Sequence, residues 1–185
     1  VVLVAGSRIA EDLGSGAVRY VIFRISRASW TLGKFLGQAL MIGFALILSG
    51  IGAYAVAKYR LAGSGTPDLF LNMVQWSARA WIFSFPFLGL AMGLSHLTKS
   101  GSKATVMGIV AIAACFVVSI LLRHFTADTG WRSYLPYLGV LVPEDHKMYM
   151  WRNALAPLVT GTVYLMTLGF CYLLAGYAVF RRRDV

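Results

Sequence analysis

Residues 104–122, ATVMGIVAIAACFVVSILL, carry no formal charge and are bracketed by Lys103 and Arg123. Coiled as an α-helix they would extend about 28 Å, close to the roughly 30 Å of a bilayer's hydrocarbon core. Working outward, three further stretches lack charge over the same length: 35–57, 80–98 and 153–180, the last expected to cross from 155 to 180. A membrane β-barrel would show short alternating segments instead, and none is present. The expected fold is therefore all-α, a polytopic transmembrane bundle forming one domain over 1–185.

Composition agrees. The chain of 185 residues is 58% hydrophobic and 13% charged, where soluble domains carry about a quarter charged residues. Seventeen cations against seven acids give +10, but the cations sit between apolar runs. That placement suits topology and anionic lipid, whereas a nucleic-acid binder needs one continuous basic face; no nucleic-acid partner is expected. Cys115 and Cys171 lie inside apolar runs with no second thiol or His at ligand spacing, so they read as small buried hydrophobes. The opening VVLVAG, 1–6, reads as the end of a further span, and the sequence as a fragment of a longer subunit. The expectation is four full spans and part of a fifth.

The second span is expected to start early. In GTPDLF, Thr66 suits an N-cap, Pro67 the first helical position and Asp68 the first turn. A helix from there to Leu97 would run about 45 Å, so its first part should lie at the interface. Arg79 then falls near a headgroup boundary, and Pro86 marks a kink. Lys and Arg between spans set the orientation. Segment 7–34, the loop TKSGSK and the tail RRRDV at 181–185 share one side with ten cations; the other side holds seven. The richer side is expected to be cytoplasmic, with 123–152 forming an outer re-entrant or interfacial segment rich in Trp, Tyr and Pro.

The segment before the first full span, EDLGSGAVRYVIFRISRASWTLGKFLG (11–37), is basic and amphipathic. On a helical wheel Val18, Val21, Ile22 and Ile25 form one stripe. Arg19, Tyr20, Phe23, Arg24 and Arg27 cover the other side. Arg and aromatic residues dominate protein–protein hot spots, but a surface helix holding anionic lipid has the same composition. Both readings stand at this level.

The order of landmarks resembles the ABC-2-type permease family, the membrane subunits of type V ABC exporters. The residues are Glu11, the small turn Gly14-Ser15-Gly16, Arg19-Tyr20-Val21-Ile22, Ser26-Arg27, and Leu32-Gly33-Lys34-Phe35 opening a span. The C-terminal YAVFRRRDV is similar to the family's ending. Ala17 and Ile25 depart from it, where Thr and Pro are common. The resemblance implies six spans in the complete subunit and a cytoplasmic coupling helix within 11–27. Glu11, Asp12, Gly14, Gly16, Arg19, Tyr20, Phe23, Arg24 and Arg27 would then dock a separate ATP-binding cassette subunit. ATP and Mg would be held by that partner, with no cofactor in this chain. A second permease copy would complete a homo- or heterodimer, with lipids around it in the bacterial cytoplasmic membrane. The largely uncharged spans favour an amphipathic or lipid-like substrate.

Other features have simpler uses. SGSK at 100–103 lacks the glycine before lysine that a phosphate-binding loop needs. Gly89 and Gly93 suit close helix packing, with a subunit contact as one use. His96 and His124 sit at helix ends without partners at metal spacing. Glu144, Asp145, His146, Met148 and Met150 offer soft and hard ligand types, but interface composition favours a polar turn with membrane-facing Met and Tyr. No catalytic constellation is legible, so an enzyme is not expected. The competing reading is a non-transporting membrane anchor that docks a soluble partner complex.

Overall fold

A computed structural model describes residues 2–22, 24–60, 66–125 and 135–182. Their order is α1 (Val2–Ser15), α2 (Ala17–Ile22), α3 (Arg27–Arg60), α4 (Thr66–Ser95), α5 (Gly101–Phe125), α6 (Leu135–Gly139), a 3₁₀ turn (Pro143–His146), α7 (Lys147–Trp151) and α8 (Leu155–Arg181). No strand occurs among the described residues. Helices α3, α4, α5 and α8 are long and apolar enough to cross a membrane. α3 and α5 contain their uncharged runs and overshoot them, α4 starts well before its run and ends inside it at Ser95, and α8 contains the expected 155–180 crossing; α3, with 34 residues, would extend about 51 Å.

α4 is the central helix, packed most extensively on α8 and α3, and also on α1 and α5. Against α3 it is antiparallel: Gly43 lies on the Trp81 indole and Gly50 on Ser77 and Met73. The Trp81 Nε1–H donates to the Ala39 carbonyl at 2.7 Å, which locks this register. Against α8 it is parallel, because contacts advance together along both chains. Gly89 meets the backbone of Gly169, and Gly93 meets the backbone of Tyr172 and Gly176. The expected packing role of Gly89 and Gly93 is thus met inside the chain, where both are buried. Pro86 stands inside α4 at this crossing, with its nitrogen 3.2 Å from where a Cβ on Gly169 would sit.

The bundle has two ends. At one, α1, the α4–α5 connection, the start of α3 and the C-terminus of α8 meet around Ile9, Val18, Trp30, Phe35 and Phe180. The described parts of the three basic segments expected on a single side, with the tail represented by Arg181 and Arg182, do gather there. At the other end residues 135–151 fold back along α5 and α8. Ser119 Oγ donates to Asp145 Oδ1 at 2.6 Å, and the His146 ring stacks on Tyr164 at 3.8 Å. The Tyr172 hydroxyl donates to the Leu141 carbonyl. Non-helical backbone next to lipid needs such partners, since no water is there to supply them.

Met148 and Tyr149 face outward, but Met150 is fully buried and takes a contact from the Thr162 hydroxyl at 3.8 Å. Glu144 is also buried. No metal-holding cluster of His, Cys, Asp and Glu exists among the described residues.

Candidate functional site

The basic end is built around an elbow, α1–α2, and its shape follows from local chemistry. α1 runs unbroken from Val2 through the point where a span was expected to end, and stops at Ser15. Gly16 then takes φ +74°, a left-handed conformation that glycine adopts at little cost, and α2 starts at once. The small-residue turn expected at 14–16 is therefore where the chain bends. Ser15 Oγ donates to the Asp12 carbonyl at 3.2 Å and accepts from the Ala17 N–H at 3.4 Å, bracing the bend.

Several predicted docking residues hold the elbow to the spans. The Ala10 N–H donates to Ser95 Oγ at 2.9 Å, and Ile9, Ala10 and Leu13 are buried against the bundle. Gly14 rests on the Lys99 carbonyl so closely that a Cβ would collide with it. Glu11 Oε1 lies 2.8 Å from where a Cβ on Gly101 would be. That puts a carboxylate at the first residue of α5, where the helix dipole favours it. Asp12 pairs with Lys34 at 2.8 Å, tying α1 to α3. Both partners are about a third exposed, so this pair fixes geometry more than it stabilises.

The helical wheel needs correcting. α2 ends at Ile22, only six residues long, and residues 24–26 form a turn. Val18 is fully buried as the stripe requires, but Ile25 is 44% exposed. The physical reason is that Ser26 caps the next helix. Its Oγ accepts from the Ser29 N–H at 3.1 Å and contacts Ser29 Oγ at 2.8 Å, and its carbonyl accepts from the Trp30 N–H at 3.0 Å. Ser-Arg-Ala-Ser is thus an N-terminal cap for α3, which stops any helix from continuing through it.

Arg27 is a second correction. It opens α3 and turns inward, donating from Nη1 to the Phe180 and Arg181 carbonyls at 3.4 and 3.3 Å. Its guanidinium lies 5.5 Å from the Phe180 ring centroid. A cation at a helix C-terminus satisfies carbonyls that have no intrahelical donor. Arg27 is half-buried and clasps the C-terminus of α8, instead of standing free on an outward face. We expect Arg27→Gln to lower thermal stability by about 1–2 kcal/mol, the scale of a partly buried charge at a helix end. Partner retention by the folded variant should be unchanged in a pull-down.

What faces outward from the elbow is narrower than the wheel drew it. Tyr20 is 81% exposed, and Arg24 is exposed in the turn after α2. The side chain of Arg19, and Phe23 altogether, lie outside the described residues.

Sequence reasoning missed the side chain at the centre of this end. His96 is fully buried. Its Nδ1 lies 2.8 Å from the Met92 carbonyl. A carbonyl can only accept, so Nδ1 carries the proton. Nε2 is then the acceptor for the Thr31 hydroxyl at 3.4 Å, and the ring packs on Phe180 at 5.3 Å. α3, α4 and α8 thus converge on one imidazole directly beneath the elbow. α1–α2 is thus a short arm with attachments to α3 and to the α4–α5 connection.

Neither a scan against protein-family models nor a search of curated proteins finds a match to this chain.

Proposed function

We propose that this multi-pass membrane protein is the permease subunit of an ATP-driven ABC exporter, and that the α1–α2 elbow is its coupling helix. The observation that carries the reading is mechanical. A two-helix arm sits at the basic end of the bundle, fastened to three spanning helices, with an aromatic ring and a guanidinium, Tyr20 and Arg24, left outside. In this reading the basic end is cytoplasmic in a bacterial inner membrane, as positive charge near short loops favours. The ATP-binding subunit, with its ATP and Mg, closes on the arm. Closure biases two arrangements of the spans through contacts that differ between them. A second permease copy would complete the path, carrying an amphipathic or lipid-like substrate.

The test is co-purification with an ATP-binding cassette subunit carrying G-x-x-x-x-G-K-[ST]. The pair Tyr20→Ala with Arg24→Glu should reduce partner retention at least about tenfold, the scale of losing an interface anchor. Wild-type retention of that ATPase, lost in the variant, supports the reading. Equal retention by both, or capture of a different soluble complex with no ATP-driven flux, would leave the chain as a membrane anchor.

A further inference from the structure

Far from the elbow, the opposite rim holds a cleft of about 550 Å³ between the first half of α4 and the α7–α8 connection. Its α4 wall is Asn72, Gln75, Trp76 and Arg79, spaced i, i+3, i+4, i+7 and so a single stripe on one face of that helix. Beside that stripe α4 shows exposed Phe70, Leu71 and Val74, as a lipid-facing surface does. A polar stripe ending in arginine is out of place there unless it meets headgroups or a polar ligand.

The opposite wall supplies Arg152 and Asn153. Both terminal nitrogens of Arg79 donate to Asn153 Oδ1, each at 3.3 Å. Arg79 also lies 5.9 Å from the Trp76 ring centroid, and Trp76 stacks on Trp151 at 4.8 Å. A neutral amide and an indole orient the guanidinium without cancelling its charge. Neither Arg79 nor Arg152 has a carboxylate partner among the described residues, and no acid lines the cleft. The same edge carries the start of the 27-residue α8, whose N-cap Ala154 provides no side-chain cap. The free amides of Leu155 and Ala156 in its first turn, Pro157 having no N–H, add positive potential at the cleft. Exposed Leu155, with Leu158 beside it, continues from the polar rim onto an apolar helix face.

We infer that this cleft binds the phosphate of an anionic lipid headgroup. Two guanidiniums match phosphate oxygens by forked, charge-assisted hydrogen bonds. The volume falls within the ~300–1,000 Å³ of ordinary ligand sites. The stacked tryptophans place the cleft at headgroup level, where amphipathic rings settle, and the leucines offer a track for an acyl chain. This inference stands apart from the coupling role of the elbow and does not depend on it.

The experiment is native mass spectrometry of the purified full chain in neutral detergent, titrated with phosphatidylglycerol, phosphatidylcholine or inorganic phosphate. One phosphatidylglycerol should be retained in preference to phosphatidylcholine. Arg152→Gln, at an exposed side chain, and the double variant Arg79→Gln with Arg152→Gln should weaken retention progressively. The double variant should lose about tenfold or more, as expected when charge-assisted hydrogen bonds go. Circular dichroism melting of each variant verifies the fold. Arg152→Gln alone keeps the proposal falsifiable should the double variant unfold. Undiminished phosphatidylglycerol binding by a folded variant, or equal binding of phosphatidylcholine, would overturn the inference. Inorganic phosphate binding as tightly as the lipid would overturn the headgroup assignment in favour of a soluble anion.

Discussion

Replacing Gly176 by leucine should push α4 and α8 apart and collapse the bundle's thermal transition in detergent. At this parallel crossing the two backbones touch without side chains between them. Even a Cβ on Gly176 would overlap the carbonyl group of Gly93, and one on Gly169 would lie 2.8 Å from the Phe85 carbonyl oxygen. Overpacking usually costs about 1–3 kcal/mol because neighbouring side chains give way. Here the obstacle is helical backbone, which cannot rotate aside, so the loss should lie at or beyond the top of that range. Gly37 is the control, since nothing stands within 4 Å of a Cβ built there. Gly37→Ala should leave the transition within about 0.5 kcal/mol of the parent, as surface substitutions do. Similar melting of Gly176→Leu and Gly37→Ala would contradict the packing described.

His96→Ala should produce the next largest loss, about 2–5 kcal/mol, the range for emptying a fully buried site. The imidazole fills space between α3, α4 and α8, and its removal takes the acceptor from the buried Thr31 hydroxyl. The loss has a location as well as a size. With Phe180 and Thr31 no longer braced, limited proteolysis should speed up at the elbow while the far rim stays protected. Uniform sensitivity along the chain, or a melting curve like the parent's, would remove His96 from this role.

The spans were legible because lipid imposes a length and a polarity that show in any window of the sequence. Residues 104–122 need no knowledge of their neighbours to be read. The bend at Gly14-Ser15-Gly16 was legible for a similar reason: glycine's freedom and a short-range serine cap are local properties. Pairing across the fold was not. Gly89 and Gly93 announce a close approach but not that Gly169 and Gly176, some eighty residues later, receive it. A helical wheel places Arg27 on an outward face because it assumes an unbroken helix. The cap at Ser26 ends that assumption, and the carbonyls of Phe180 and Arg181 lie 153 and 154 positions away. Ser26 and Ser29, spaced as a cap, were the available warning. His96 looked like an ordinary polar residue at a helix end, since nothing nearby in sequence shows three helices closing over it.

The same contrast governs the candidate sites. The elbow was found from its local landmarks, and the structure divides its residues into those that fasten it and those that face out. The cleft at the opposite rim had one local trace, a lone arginine after an early helix start. Its second arginine and its amide partner come from the connection before α8, so only the fold joins them.

The most direct measurement places a photo-crosslinking amino acid at position 20, exposed on the elbow, in cells that also express a candidate ATP-binding cassette subunit. A crosslink to that subunit should form, with a yield that changes between nucleotide-free and ATP-bound states, as a lever under load requires. Crosslinks only to lipid or to an unrelated protein, with no response to ATP, would contradict the coupling role.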